Sequence, residues 1–220
     1  MAYRSVLPKP IRARVLGAAP RKRVGLLGGS FNPAHEGHRH ISLLALKLLK
    51  LDEIWWLVSP QNPLKSARGM APLAQRLTGA QAACRHGRIR AVALETALQT
   101  RYTADTLKAL ATRFPRTRFV WLMGADNLNQ ISRWDSWSLI FHTVAVAVFD
   151  RPAYSLRALA GKAAHRFARA RRRLSQAGRL ASRKPPAWVF FHTPLHKASA
   201  TSIRRRLTPT SRSKPRSSRR

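Results

Sequence analysis

Residues 24–38 read VGLLGGSFNPAHEGH, and the order of residue types in that stretch sets the expectation for the whole chain. Val24, Leu26 and Leu27 make a short apolar run of the kind that forms a buried strand, and Gly28-Gly29 is expected to break it. Order resumes in a helix starting near His38, so a loop lies between strand and helix. Adjacent glycines let the backbone turn tightly and approach a ligand, while Ser30, Asn32 and Pro33 hold the loop open instead of letting it pair. A helix N-terminus facing such a loop suits an anion, because its first N–H groups are unpaired and its dipole is positive there. His35 and His38 flank Gly37 at that end.

The spacing sets other chemistries aside. It matches neither the GxGxxG of dinucleotide-binding turns nor the GxxxxGK-S/T of P-loops, and Glu36-Gly37-His38 departs from the HExxH of zinc proteases. Cys84 is the single cysteine, which excludes an internal disulfide and a cysteine-built zinc site and fits a reducing, cytoplasmic setting. No metal ligands are assigned. No apolar run of about 18 residues occurs, so no transmembrane helix is expected.

The 220 residues suit one domain with a sizeable core and extensions. The 42 Lys+Arg against 8 Asp+Glu give a formal charge of +34, extreme for an enzyme of small molecules. A polyanionic partner is the first thought, but the charge is unevenly placed: residues 1–23 and 204–220 carry no acid, and no carboxylate follows Asp150. Residues 1–22 read as a basic, disordered extension interrupted by prolines, and 208–220 as a basic, disordered tail.

Between the tails, strands and helices alternate. HRHISLLALKLLKL (38–51) carries Ile41, Leu44, Ala45, Leu48 and Leu51 at helical spacing, and EIWWLVS (53–59) reads as a strand. A proline-bounded loop follows, where Lys65 is either a phosphate contact or a solvated lysine. A helix is predicted over 72–84 and a strand over 88–94, closing with Glu95. Thr103 opens the next helix as its natural N-cap, with Asp105 in the first turn. RFVWLMGAD (118–126) is a strand whose last residue, Asp126, suits ribose hydroxyls or a helix cap. Trp134 and Trp137, three apart, are placed on one helical face, where core packing is the plain role. TVAVAVFDR (143–151) is a further strand, 156–184 a basic helix, and AWVFFHT (187–193) the last strand. Beyond it Ser199, Thr201 and Ser202 can cap a helix with Arg204 on its first turn, a guanidinium suited to phosphate. The alternation predicts an α/β domain with a parallel sheet flanked by helices, spanning 23–207.

GGSFNPAHEGH resembles the GG-S/T-F-D/N-PxHxGH signature of the HxGH nucleotidyltransferases, most closely the nicotinate-nucleotide adenylyltransferase family. YTADTL (102–107), the RWDSW (133–137) that follows GADNL, and SATSIR (199–204) are similar to that family's YTxDTL, WxxW and SSTxIR segments, with alanine at the second serine. The resemblance implies a Rossmann-like nucleotidyltransferase fold. It implies that His35 and His38 bind the triphosphate of ATP and stabilise the transition state, with Arg204 as the third catalytic residue. Gly28, Gly29, Ser30 and Phe31 would lie under the nucleotide, and Asp126, Ser199 and Thr201 would bind ATP. Thr103 would help hold the nicotinate carboxylate of nicotinate mononucleotide, Trp134 would stack on its pyridine ring, and Lys65 would contact it. Mg²⁺ would arrive with ATP. Nicotinamide mononucleotide or phosphopantetheine are alternative acceptors, and nucleic-acid binding on the same scaffold is the alternative from another class. In this picture polyanion binding belongs to the basic tails.

Overall fold

The computed structural model describes residues 22–60, 69–151 and 154–192. Six strands, β1 (Arg23–Gly29), β2 (Glu53–Val58), β3 (Ile89–Val92), β4 (Arg118–Gly124), β5 (Ala145–Phe149) and β6 (Trp188–Phe191), pair in the order β3-β2-β1-β4-β5-β6. All five pairings are parallel. The chain builds outward from β1 to β3 and then crosses back to start the second half at β4. That reversal opens a crevice at the carboxyl ends of β1 and β4, where open α/β sheets take their ligands.

Burial on both faces explains the near-continuous apolar strands. Leu26, Trp55, Leu57, Trp121, Val146 and Trp188 enter one core, whereas Leu27, Ile54, Trp56, Leu122, Ala147 and Val189 enter the other. Helices α1 (Glu36–Leu48) and α2 (Leu73–Cys84) cover the second face through Ala45, Leu46, Ala80 and Cys84. After the short α3 (Leu94–Leu98), helices α4 (Thr103–Arg113), α5 (Ala125–Gln130) and α6 (Trp137–Thr143) cover the first through Leu107, Leu110, Leu128 and Phe141. At the opposite end of the sheet from the crevice, Asp52 accepts from the Arg23 guanidinium and Glu53 pairs with Lys22 and Arg90. Burial works against the Glu53 charge, but hydrogen bonds from Lys22 and Trp55 outweigh it and hold the carboxyl below its ordinary range.

Several local expectations are corrected. β1 does not break at Gly28-Gly29; it runs through both, which pair with Leu57 and Val58. Gly28 is there for space, since a Cβ would stand 2.3 Å from the Trp121 ring. β3 stops at Val92, where its register with β2 ends, and Leu94 and Glu95 turn into α3. The basic stretch 156–184 is not one helix. It forms α7 (Ser155–Leu159), α8 (Lys162–Arg166) and two 3-10 segments, interrupted where Arg171 bridges Trp188 and the Arg172 amide donates to the Trp188 carbonyl at 2.7 Å. Pairing with the sheet edge took the backbone bonds that a continuous helix needs.

Candidate active site

α1 begins at Glu36, two residues before the expected start, because His35 is its N-cap. The His35 Nδ1 accepts from the Gly37 amide at 3.1 Å, and the His38 Nδ1 accepts from the His35 amide at 3.2 Å. This is a capping box made of two imidazoles in place of the usual hydroxyl and carboxylate. An Nδ1 that accepts leaves the ring proton of neutral histidine on Nε2, so both tautomers are fixed and both Nε2–H groups are donors. The ring centroids are 3.9 Å apart. Behind them, the Trp56 indole donates to Ser42 Oγ at 2.8 Å, and Ser42 donates to the His38 carbonyl at 2.8 Å. The fully buried Trp56 thereby anchors the first turn of α1 to the sheet.

The loop before the helix is held from two sides. Phe31 takes a left-handed backbone (φ 46°), unfavourable for an aromatic residue, and its ring is fixed by stacking on Trp56 with centroids 5.1 Å apart. Arg76, buried on α2, donates to the carbonyl oxygens of Ser30 and Ser59 at 2.7 Å, and of Pro60 and Ala71 at 2.8 Å. Burial lowers its pKa from the usual arginine range. The Ser59 amide in turn donates to the Gly29 carbonyl at 3.0 Å. The carboxyl ends of β1 and β2 are tied to each other and to α2.

Beside this loop lies a cavity of about 400 Å³. Gly28, Gly29 and Ser30 form one wall, Tyr102 and Thr103 another, and Trp121, Asn127 and Trp134 a third. Arg101, Arg133 and Asp135 stand at its exposed margin, and Glu95 lies in its buried part. Among the described residues the indole nitrogens of Trp121 and Trp134 have no hydrogen-bond acceptor although both are buried. The Glu95 carboxyl is pushed up to about 7 by burial, which outweighs a stabilising hydrogen bond from Ser59.

The structure therefore gathers Gly28, Gly29, Ser30, Thr103 and Trp134 around one space, with the His35–His38 pair on the helix that follows the same loop. Phe31 contributes its ring to the core rather than to the cavity. Thr103 is the first residue of α4 but not its cap: Tyr102 holds that position without a side-chain bond, and it is Thr106 that bonds back to the Tyr102 carbonyl. Trp134 and Trp137 do not share a helical face. Trp134 ends a 3-10 turn in extended conformation and faces the cavity, whereas Trp137 opens α6 and packs edge-on against Phe141 and Phe167. Asp126 sits in the first turn of α5 and faces Arg151 at 3.4 Å, with neighbouring Asn127 reaching the cavity wall. Lys65, Ser199, Thr201 and Arg204 lie outside the described residues.

Two residues of the site carried no motif. Arg76 could not be told from the other cations of so basic a sequence. Glu95 did have a signal, being one of 8 acids in a chain that avoids them.

A model of the cytidylyltransferase-like family matches residues 26–206. A Cereibacter sphaeroides protein named "probable nicotinate-nucleotide adenylyltransferase" is 54% identical over 181 residues, which cover 82% of this chain and 96% of that one. A Caulobacter protein of the same name is 50% identical over 186 residues, covering 84% and 98%. The fold is shared with a solved Plasmodium falciparum nicotinic acid mononucleotide adenylyltransferase complexed with NaAD, at a TM-score of 0.61 and 19% identity over 85% of this chain and 84% of that one.

Proposed function

Since the chain belongs to the nicotinate-nucleotide adenylyltransferases of the cytidylyltransferase-like family, we propose that it transfers the adenylyl group of ATP to nicotinate mononucleotide, a step of NAD biosynthesis. The 5′-phosphate oxygen of the mononucleotide attacks the α-phosphorus of ATP. A new anhydride bond forms as the α–β bond breaks, and pyrophosphate leaves with its electron pair. A phosphate monoester has a second pKa of about 6, so the nucleophile is already ionised at neutral pH and no general base is needed. What remains is to bring two polyanions together and to stabilise charge on the leaving group, which is positioning and electrostatics.

The observation that carries this assignment is the imidazole capping box. Two Nε2–H donors, oriented by backbone bonds at a helix N-terminus, suit a triphosphate. Thr103 and Trp134, facing one cavity, suit a pyridine ring and its carboxylate, and we place Asp126 beside the ribose. We retain Lys65, Ser199, Thr201 and Arg204 as further phosphate contacts on the motif similarity alone. We propose one nucleotidyltransferase domain over 23–207, a reading supported by the family match over 26–206.

Among the described residues no three or more His, Cys, Asp or Glu side chains stand together as a metal cage. We propose that the divalent ion is Mg²⁺, carried by triphosphate oxygens and water. Once bound, it would offset phosphate charge; the histidines supply directed donors. We place the enzyme in the cytoplasm, in keeping with its single cysteine, and no helix among the described residues is long and apolar enough to cross a membrane.

Pyrophosphate release with ATP and Mg²⁺, compared between nicotinate and nicotinamide mononucleotides, tests the proposal. A strong preference for the acid is the expected result. No release with either, from folded protein that binds ATP, would move the acceptor to another phosphate.

The charge distribution favours a second property beside catalysis. All 8 acids fall between Glu36 and Asp150, and Glu36, Asp52, Glu53 and Asp126 each face an arginine or lysine. The acid-free tails are left to bind polyanions without sequence preference.

A further inference from the structure

Glu95 is a buried carboxyl in the same cavity as Thr103 and Trp134, and the transfer chemistry makes no use of it. It is 9% exposed, held on α3 beside the end of β2, and accepts a hydrogen bond from the Ser59 hydroxyl. Ser59 is itself fixed, its amide bonded to the Gly29 carbonyl and its own carbonyl to Arg76. The carboxyl is therefore pinned at the wall of the cavity rather than free to swing into solvent.

We propose that Glu95 determines specificity, discriminating an anionic from a neutral substituent on the pyridine ring through its own state of protonation. The inference rests on the substrate assignment above. A protonated Glu95 adds no charge and has an O–H to offer a carboxylate. An ionised Glu95 places a negative charge in the cavity, which repels the nicotinate carboxylate and leaves the nicotinamide amide unaffected or favoured. The remaining ionisable groups facing the cavity are Arg101, Tyr102, Arg133 and Asp135. Burial raises the Glu95 carboxyl to about 7.

The acid-to-amide ratio of kcat/KM isolates this effect. Ionisation of the attacking phosphate and of the two histidines acts on groups that both substrates share and cancels in the ratio. One added charge at roughly 6–8 Å in a partly solvated cavity changes such a ratio by about tenfold.

The experiment measures kcat/KM for nicotinate and nicotinamide mononucleotides from pH 5.5 to 8.5 with the full chain, its Glu95→Gln variant and its Ser59→Ala variant. The wild-type ratio is expected to fall about tenfold as pH rises through about 7. Glu95→Gln should hold it flat near the low-pH value. Ser59→Ala, which removes a bond to the ionised form, should move the inflection to higher pH. A wild-type ratio that is flat, or that still falls in Glu95→Gln, overturns the proposal. If neither mononucleotide is adenylylated at any pH, the substrate assignment itself fails, a result distinct from a flat ratio.

Discussion

The Arg76 guanidinium, on α2, donates to the carbonyl oxygen of Ser30 at 2.7 Å and so binds the second core helix to the residue that leaves β1. The same side chain reaches Ser59, Pro60 and Ala71, so one buried cation satisfies four carbonyls at the crevice. Arginine suits this because its fixed fork offers five donors, whereas lysine offers three around a point.

Replacing Arg76 by alanine leaves several of those carbonyls without their donor and loosens the loop on which the histidines depend. The expected cost is about 2–4 kcal/mol in urea unfolding, with a raised KM for ATP. Arg76→Lys should recover part of the stability but not the ATP affinity. Unchanged KM in a destabilised Arg76→Ala protein would confine Arg76 to the fold.

His38→Ala removes one preorganised donor and half of the α1 capping box. We expect kcat/KM to fall at least about 100-fold in pyrophosphate release, the scale of losing one such donor, with a stability loss of about 1 kcal/mol. Comparison with Ser42→Ala separates the two effects. That change loses the link from Trp56 to the His38 carbonyl but keeps the imidazole, so it should cost stability with a much smaller loss of rate.

Much of this arrangement was legible in the residues, for identifiable reasons. The strands lie buried on both faces and so read as apolar runs, and Trp134, which its motif set apart, lines the cavity. Trp137 was misplaced because a spacing of three implies a shared face only where the helix is continuous, and Ser136, left-handed at φ 47°, interrupts it. The glycines at 28 and 29 read as a turn because sequence shows a missing side chain but not the Trp121 ring that fills the place of one at Gly28. Arg76 stayed hidden since carbonyl acceptors leave no trace in composition.

Trp134→Ala should raise KM for nicotinate mononucleotide about tenfold or more and leave KM for ATP within about twofold, the scale of one lost aromatic stack. Trp137→Ala instead removes a ring from the Phe141–Phe167 cluster and should lower the unfolding midpoint. Equal effects of Trp134→Ala on both substrates would count against ring stacking.

Residues 1–21 and 208–220 carry ten cations and no acid. Deleting both, while keeping Lys22 for its pair with Glu53, should weaken retention of single-stranded DNA by more than about tenfold at low salt and leave turnover unchanged. Undiminished binding by the shortened chain would assign polyanion affinity to the domain, where residues 154–192 are also free of acids.

Glu95 also links stability to pH, with a sign opposite to that of the paired carboxylates. Its folded pKa of about 7 lies above the ordinary 4.5, so between those values the folded chain holds a proton that the unfolded chain has released. Its contribution is therefore most favourable below the lower value, declines as pH rises, and reaches its full penalty above the upper one. Glutamine keeps an acceptor for Ser59 but never ionises. Glu95→Gln should leave stability near wild type at pH 4 to 5 and raise it at pH 8 by an amount on the order of 2 kcal/mol. Urea midpoints at the two pH values decide the matter: a gain that is equal at both would mean that the substitution acts through packing and that folding does not raise the Glu95 pKa.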